Sequence, residues 1–127
     1  MAGERILVVD DNPANLKLMR VLLDGEGYDV RTCADADGAL AELRAVRPHA
    51  ILMDLQMPGI HGLDLTRRLK ADPATRDIAI VAVTAYAMKG DEEKARAAGC
   101  DGYLTKPIDI TTFPAMLARY LDGCRIP

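Results

Sequence analysis

The run Ile6-Leu7-Val8-Val9, followed at once by Asp10-Asp11, decides how this chain folds. Four consecutive apolar residues, most of them β-branched, mark a strand buried on both faces, because a strand with one wet face would alternate. His49-Ala50-Ile51-Leu52-Met53 and Ile78-Ala79-Ile80-Val81-Ala82-Val83 read the same way. Tyr28-Asp29-Val30-Arg31-Thr32 alternates, as a strand at a sheet edge does, and the short Gly102-Tyr103-Leu104-Thr105 suits the other edge.

Helical periodicity fills the intervals. Pro13 suits a first helical turn. Met19, Leu22 and Leu23 form an i, i+3, i+4 stripe that ends at Gly25 and Gly27. Residues 36–46 carry Ala39, Leu40, Leu43 and Val46 on one face; residues 62–71 carry Leu65 and Leu69. Residues 89–98 offer only alanines (Ala95, Ala97, Ala98) before Gly99. A last helix is expected over about 109–122, with Phe113, Met116, Leu117, Tyr120 and Leu121. Pro114 lies about a turn into it, so either 109–112 form a separate turn with Thr112 as the helix's true N-cap or the helix is kinked. Strands separated by helices pair in parallel, since a parallel crossover needs a dozen or more residues. The expected fold is therefore α/β, a doubly wound (βα)5 flavodoxin-like domain with a five-stranded parallel sheet of order 2-1-3-4-5. Residues 1–127 are expected to be one domain with no output domain attached.

Composition narrows the function. There are 127 residues, 16 basic and 19 acidic, for a formal net charge of −3. That balance disfavours nucleic-acid binding by bulk charge, which needs a basic surface. With one Phe, four Tyr and no Trp, the core falls to aliphatic residues. Three cysteines (Cys33, Cys100 and Cys124), none in a CxxC, exclude a disulfide framework or a structural zinc site. No signal sequence and no apolar run near the ~20 residues of a membrane helix is present, so a cytoplasmic protein with no membrane partner is expected.

In a doubly wound sheet, ligands bind beyond the carboxyl ends of the strands. Those ends carry Asp10-Asp11, Asp54, Thr84 and Lys106-Pro107. Carboxylates crowded together repel one another, and one ammonium at Lys106 does not balance three of them. A hard divalent cation is the natural second counter-charge, and Mg2+ prefers a few oxygen ligands with several waters retained. Read blandly, the acidic pair only caps the first helix, which Asp11 or Asn12 could do. The matching residues at the other strand ends make that insufficient.

The set Asp10-Asp11, Asp54, Thr84 and Lys106-Pro107, with Pro58 and Gly62 after the third strand, resembles the receiver domain of two-component response regulators. The resemblance covers essentially the whole chain, and residues 82–93 are similar to stand-alone receivers of the DivK type and to those of hybrid kinases. It implies that Asp54 accepts a phosphoryl group from a phosphohistidine, on a histidine kinase or a phosphotransfer protein. It implies Mg2+ held by Asp11 directly, by Asp10 largely through water, by Asp54 and by the Gln56 backbone carbonyl. Lys106, aimed by a cis bond to Pro107, and Thr84 would assist at the phosphate. Thr84 and Tyr103 would switch the face of helix 4, strand 5 and helix 5 for a downstream protein target. Asn15 and Leu18 on the first helix would contact the donor. Tyr86, two residues beyond Thr84, would shield the acyl phosphate from water and slow self-dephosphorylation. The chain would assist its own phosphorylation without being an enzyme that turns over a substrate.

Three other readings compete. A degenerate receiver would serve only as a docking module, yet it would keep costly unpaired acids. A haloacid-dehalogenase-like phosphohydrolase would need a second acid two residues after its nucleophile, where Gln56 stands. A flavin carrier would find its phosphate repelled by Asp10-Asp11. His49 and His61 form no metal-ligand constellation; Met53 and Met57 read as packing residues.

Overall fold

Val9 of the first strand lies beside Met53 of the third, which brings Asp10 and Asp54 level at the end of the sheet. The computed structural model describes residues 3–55, 62–84, 91–105 and 111–124. Strands β1 (Arg5–Val9), β2 (Asp29–Cys33), β3 (Ala50–Asp54), β4 (Ala79–Thr84) and β5 (Gly102–Thr105) alternate with helices α1 (Pro13–Gly25), α2 (Ala36–Ala45), α3 (Gly62–Ala71), α4 (Asp91–Ala98) and α5 (Phe113–Cys124). The order is β2-β1-β3-β4-β5, every pair parallel, as the sequence pattern predicts.

The central strands are uniformly apolar because helices cover both faces of the sheet. Side chains alternate between two cores with the strand period of two. Ile6, Val8, Leu52, Val81 and Val83 meet Met19 and Leu23 of α1 and Phe113, Leu117 and Leu121 of α5. Leu7, Val9, Ile51, Met53, Ile80 and Ala82 meet Ala36 and Ala39 of α2, Leu65 and Leu69 of α3, and Ala95 of α4. The weakly apolar α4 thus needs only an alanine contact. The edges differ in character: β2 exposes Asp29 and Arg31, while β5 is four residues long.

Local chemistry sets the helix ends. Asn12 caps α1 by accepting the Ala14 and Asn15 backbone N–H groups, with Pro13 in the first turn. At the other end Gly27 has φ +87°, in the region that favours glycine. Asp35 Oδ1 accepts the Gly38 N–H at 2.7 Å to cap α2, and Val46 is the residue that ends that helix.

The expected start of the last helix is corrected. Thr111 and Thr112 form a turn and α5 begins at Phe113, with Met116 N–H donating to the Thr112 carbonyl at 3.1 Å. Pro114 explains the shift, because its missing N–H is harmless only within a first turn. Of the two arrangements open for Pro114, the described residues show a turn at Thr111 and Thr112 ahead of the helix, while 110 lies outside them. Asp109 lies outside the described residues, as does the expected start of the fourth helix at 89.

Candidate phosphoacceptor site

The loop from β1 to α1 is built around two side chains. The Asp10 N–H donates to the Cys33 carbonyl at 3.1 Å, and Asp10 Oδ1 accepts the Asn12 N–H at 2.9 Å. Asn12 Oδ1 in turn accepts Ala14 N–H at 2.9 Å. Capping therefore belongs to Asn12, and Asp11 stands exposed between the two braced residues.

Asp54 is the last residue of β3 and is 2 % exposed; Asp10 is 5 % exposed. Each of Asp10, Asp11 and Asp54 offers one carboxylate oxygen such that all three oxygens lie within 4.8 Å of one another. Three acids so close, two of them buried, suit a hard cation that takes oxygen ligands and keeps some of its water on the open, Asp11 side. The donor set fits Mg2+.

The far side of the rim is also in register. Asp54 pairs with Val83, so the buried Thr84 lies one residue beyond, and Thr84 pairs with Thr105. Tyr103 lies opposite Ala82, half-buried against the core cluster to which Ala82 belongs. Thr84, two residues past Ala82, follows the alternation onto the same face. Gln56, Met57, Pro58, His61, Tyr86, Lys106 and Pro107 lie outside the described residues.

Behind Asp54 the first turn of α3 closes in. A β-carbon on Gly62 would meet the Asp54 backbone oxygen at 2.7 Å, and Leu55 and Met53 side-chain carbons at 3.1 Å. Leu55 N–H donates to the Val83 carbonyl at 3.0 Å, fixing the chain just after the acid. Thr66, one turn into α3, is fully buried and donates to the Gly62 carbonyl at 2.8 Å. Its place on the stripe between Leu65 and Leu69 was readable in the sequence, but that stripe draws attention to the leucines alone.

Helix α1 carries Leu18 and Val21, which are the exposed large hydrophobic residues among those described. They stand three apart and share a helix face. Leu16, on the same helix, is partly buried and packs against the core. Asn15 is half-buried near the capped end.

Residues 6–118 match the response regulator receiver domain family. This chain belongs to that family. The receiver is 43% identical over 116 residues to the polar-differentiation response regulator DivK of Brucella anthropi, an alignment covering 91% of this chain and 94% of the relative. Among solved structures, the receiver domain of a sensor histidine kinase from Pseudomonas aeruginosa superposes with a TM-score of 0.86 at 36% identity, covering 95% of this chain and 99% of that one. That structure is described with a magnesium ion coordinated in its active site cleft. The chemotaxis protein CheY4 of Vibrio cholerae gives 0.87 at 27% identity, covering 94% and 99%. Receivers are signalling phosphoacceptors rather than turnover enzymes, and they bind Mg2+ at the acidic site. No helix among the described residues is long and apolar enough to cross a membrane.

His49 is at the amino end of β3, its Nδ1 accepting the Arg5 N–H at 3.0 Å. Burial, with Glu42 and Asp35 nearby, pushes the Cys33 thiol up to about 12, so it packs as a neutral group. Met53 is fully buried in the core, as a packing residue should be.

Proposed function

We propose that this receiver is a stand-alone, cytoplasmic response regulator that accepts a phosphoryl group from phosphohistidine onto Asp54. The single observation that carries the reading is the meeting of three carboxylate oxygens within 4.8 Å at the end of β3, in a chain of receiver sequence. In the transfer, an Asp54 carboxylate oxygen attacks phosphorus and the P–N bond breaks. Its electron pair returns to the donor imidazole, and an acyl phosphate remains on Asp54. Mg2+, held by Asp11, Asp54 and the Gln56 carbonyl, with Asp10 reaching it through water, would supply charge neutralisation at the phosphoryl oxygens. Asp54 sits on a buried strand end that fixes its position, and positioning is most of what such a transfer asks of a protein. Lys106 meets the charge of the transferred group.

The switch follows from the shared face of Thr84 and Tyr103. Phosphorylation adds about −1.5 to −2 charge and new acceptor oxygens. Thr84 donates its hydroxyl to one of them, and Tyr103 turns inward as the loop after β4 closes. The surface of α4, β5 and α5 then changes for a downstream protein. On the other side, Leu18 and Val21 with Asn15 form the face that meets a histidine kinase or phosphotransfer protein; apolar side chains three apart on one helix suit a helical partner. Tyr86 shields the acyl phosphate and slows its hydrolysis.

Incubation with acetyl phosphate and Mg2+, followed by intact-protein mass measurement, tests the reading. One added phosphate is expected, absent in Asp54→Asn and without metal. No adduct on the folded wild type would leave a docking module; donor turnover without a lasting adduct would indicate a hydrolase.

A further inference from the structure

Thr66 is a buried polar residue set in an otherwise apolar layer between α3, α4 and the sheet. A leucine or valine would fill such a place without a hydroxyl to satisfy. The hydroxyl is nevertheless fully used. It donates to the Gly62 carbonyl at 2.8 Å, and it accepts from the Cys100 thiol at a sulfur–oxygen separation of 3.9 Å. Burial holds Cys100 above its ordinary pKa, so the thiol keeps its proton to donate.

Each end of this short chain of contacts leads to an element of the switch. Gly62 bears on the Asp54 backbone so closely that no β-carbon fits between them. Cys100 stands between α4 and β5, its N–H donating to the Ala95 carbonyl at 3.0 Å. Two backbone positions near Asp54 are anchored. One is Leu55, bonded to Val83; the other is Gly62, bonded to Thr66.

We propose that Thr66 is a positioning residue for phosphoryl uptake: its hydroxyl, held between the Gly62 carbonyl and the Cys100 thiol, sets where the first turn of α3 bears on Asp54. The inference rests on the reading of Asp54 as phosphoacceptor. Thr66 touches neither phosphate nor metal; it acts through Gly62. Removing the hydroxyl while keeping the shape lets the first turn of α3 shift against Asp54, and small misplacements of a reacting group lower rates.

The test compares wild type, Thr66→Val, Thr66→Ala and Thr66→Ser. Initial rates of phosphate incorporation from acetyl phosphate are measured at saturating Mg2+, with urea unfolding as a check on folding. The valine and alanine variants are expected to be slowed about threefold to tenfold, the scale of one buried hydrogen bond. The serine variant, which keeps the hydroxyl, is expected to track the wild type. A valine variant as fast as wild type overturns the proposal, and so does a serine variant slowed as much as valine. Should valine unfold the chain, alanine against serine decides by the same criteria. A wild type that takes up no phosphate overturns the reading of Asp54 and this inference with it. Uptake by wild type with no loss in Thr66→Val removes this inference alone.

Discussion

Lys70 Nζ lies 2.8 Å from Asp101 Oδ2, joining the end of α3 to the residue that precedes β5. The same ammonium donates to the Arg76 and Ile78 carbonyls at 3.0 and 2.8 Å, and Asp101 Oδ2 also accepts the Ile80 N–H at 2.9 Å. This hub sits at the amino ends of β4 and β5, opposite the acidic rim. Lys70→Met is expected to lower stability by about 1–2 kcal/mol, mostly through the two carbonyls left without a donor. The ion pair itself contributes less, because Asp101 is half exposed. Urea unfolding reads the loss, and phosphate uptake by the folded variant should be unchanged.

The tight seat of Gly62 makes the opposite kind of prediction. The group a new methyl would strike is backbone, which cannot rotate aside. Gly62→Ala is expected to cost about 1–3 kcal/mol, the usual range for forcing atoms into a packed site. It should also slow phosphate uptake, because the strain falls on Asp54. Unfolding and uptake measured on one preparation check both. An alanine variant as stable and as fast as wild type would show that α3 has room to retreat.

Asp11 and Asn12 divide their duties. Asp11→Asn removes one of three crowded negative charges and leaves the cap intact, so the metal-free protein is expected to be at least as stable as wild type. Its Mg2+ affinity should fall roughly tenfold or more, since ligand charge sets affinity at such sites. Asn12→Ala should cost about 1 kcal/mol of stability through the lost cap. Urea midpoints with and without Mg2+, together with calorimetric titration of the metal, separate the two effects.

Acid should act on the amino end of the sheet through His49. Burial first, then the charges of Arg5 and Arg47, hold its pKa below the ordinary 6.5. The folded protein thus favours neutral imidazole, whose Nδ1 must be free of a proton to accept the Arg5 N–H. The stability this contributes is fully present above the unfolded pKa and is lost as pH falls through the folded one. Proton NMR of the ring should give a midpoint under 6.5. The fall in urea midpoint just below that pH should be smaller in His49→Gln.

Much of this molecule can be read from residue order, and the rest fails for physical reasons. The three central strands are legible because burial on both faces demands unbroken apolar runs, and each lies within one residue of its expected bounds. The meeting of Asp10, Asp11 and Asp54 follows once those strands are parallel, since register then brings their ends level. The start of α5 is less legible: its apolar stripe says which face is buried but not where the first turn begins, and Pro114 admits two answers. Lys70 and Asp101 lie 31 residues apart, and nothing in either neighbourhood announces the partner. Thr66 is hidden for another reason. Its place beside the stripe leucines can be read, but nothing in the sequence tells what its hydroxyl does until it is seen bonded on both sides.

The two outermost strands bear on how this protein meets others. Exposed Asp29 and Arg31 place charges along β2, and β5 offers only four residues of backbone. Charge and brevity are the means by which soluble proteins discourage strand-to-strand aggregation. The sheet is therefore poorly made for annexing a foreign strand or for growing into a fibril. Whatever assembles with this protein, a second copy included, is expected to do so through helical surfaces, where single side-chain changes can retune the choice of companion without disturbing the β-layer.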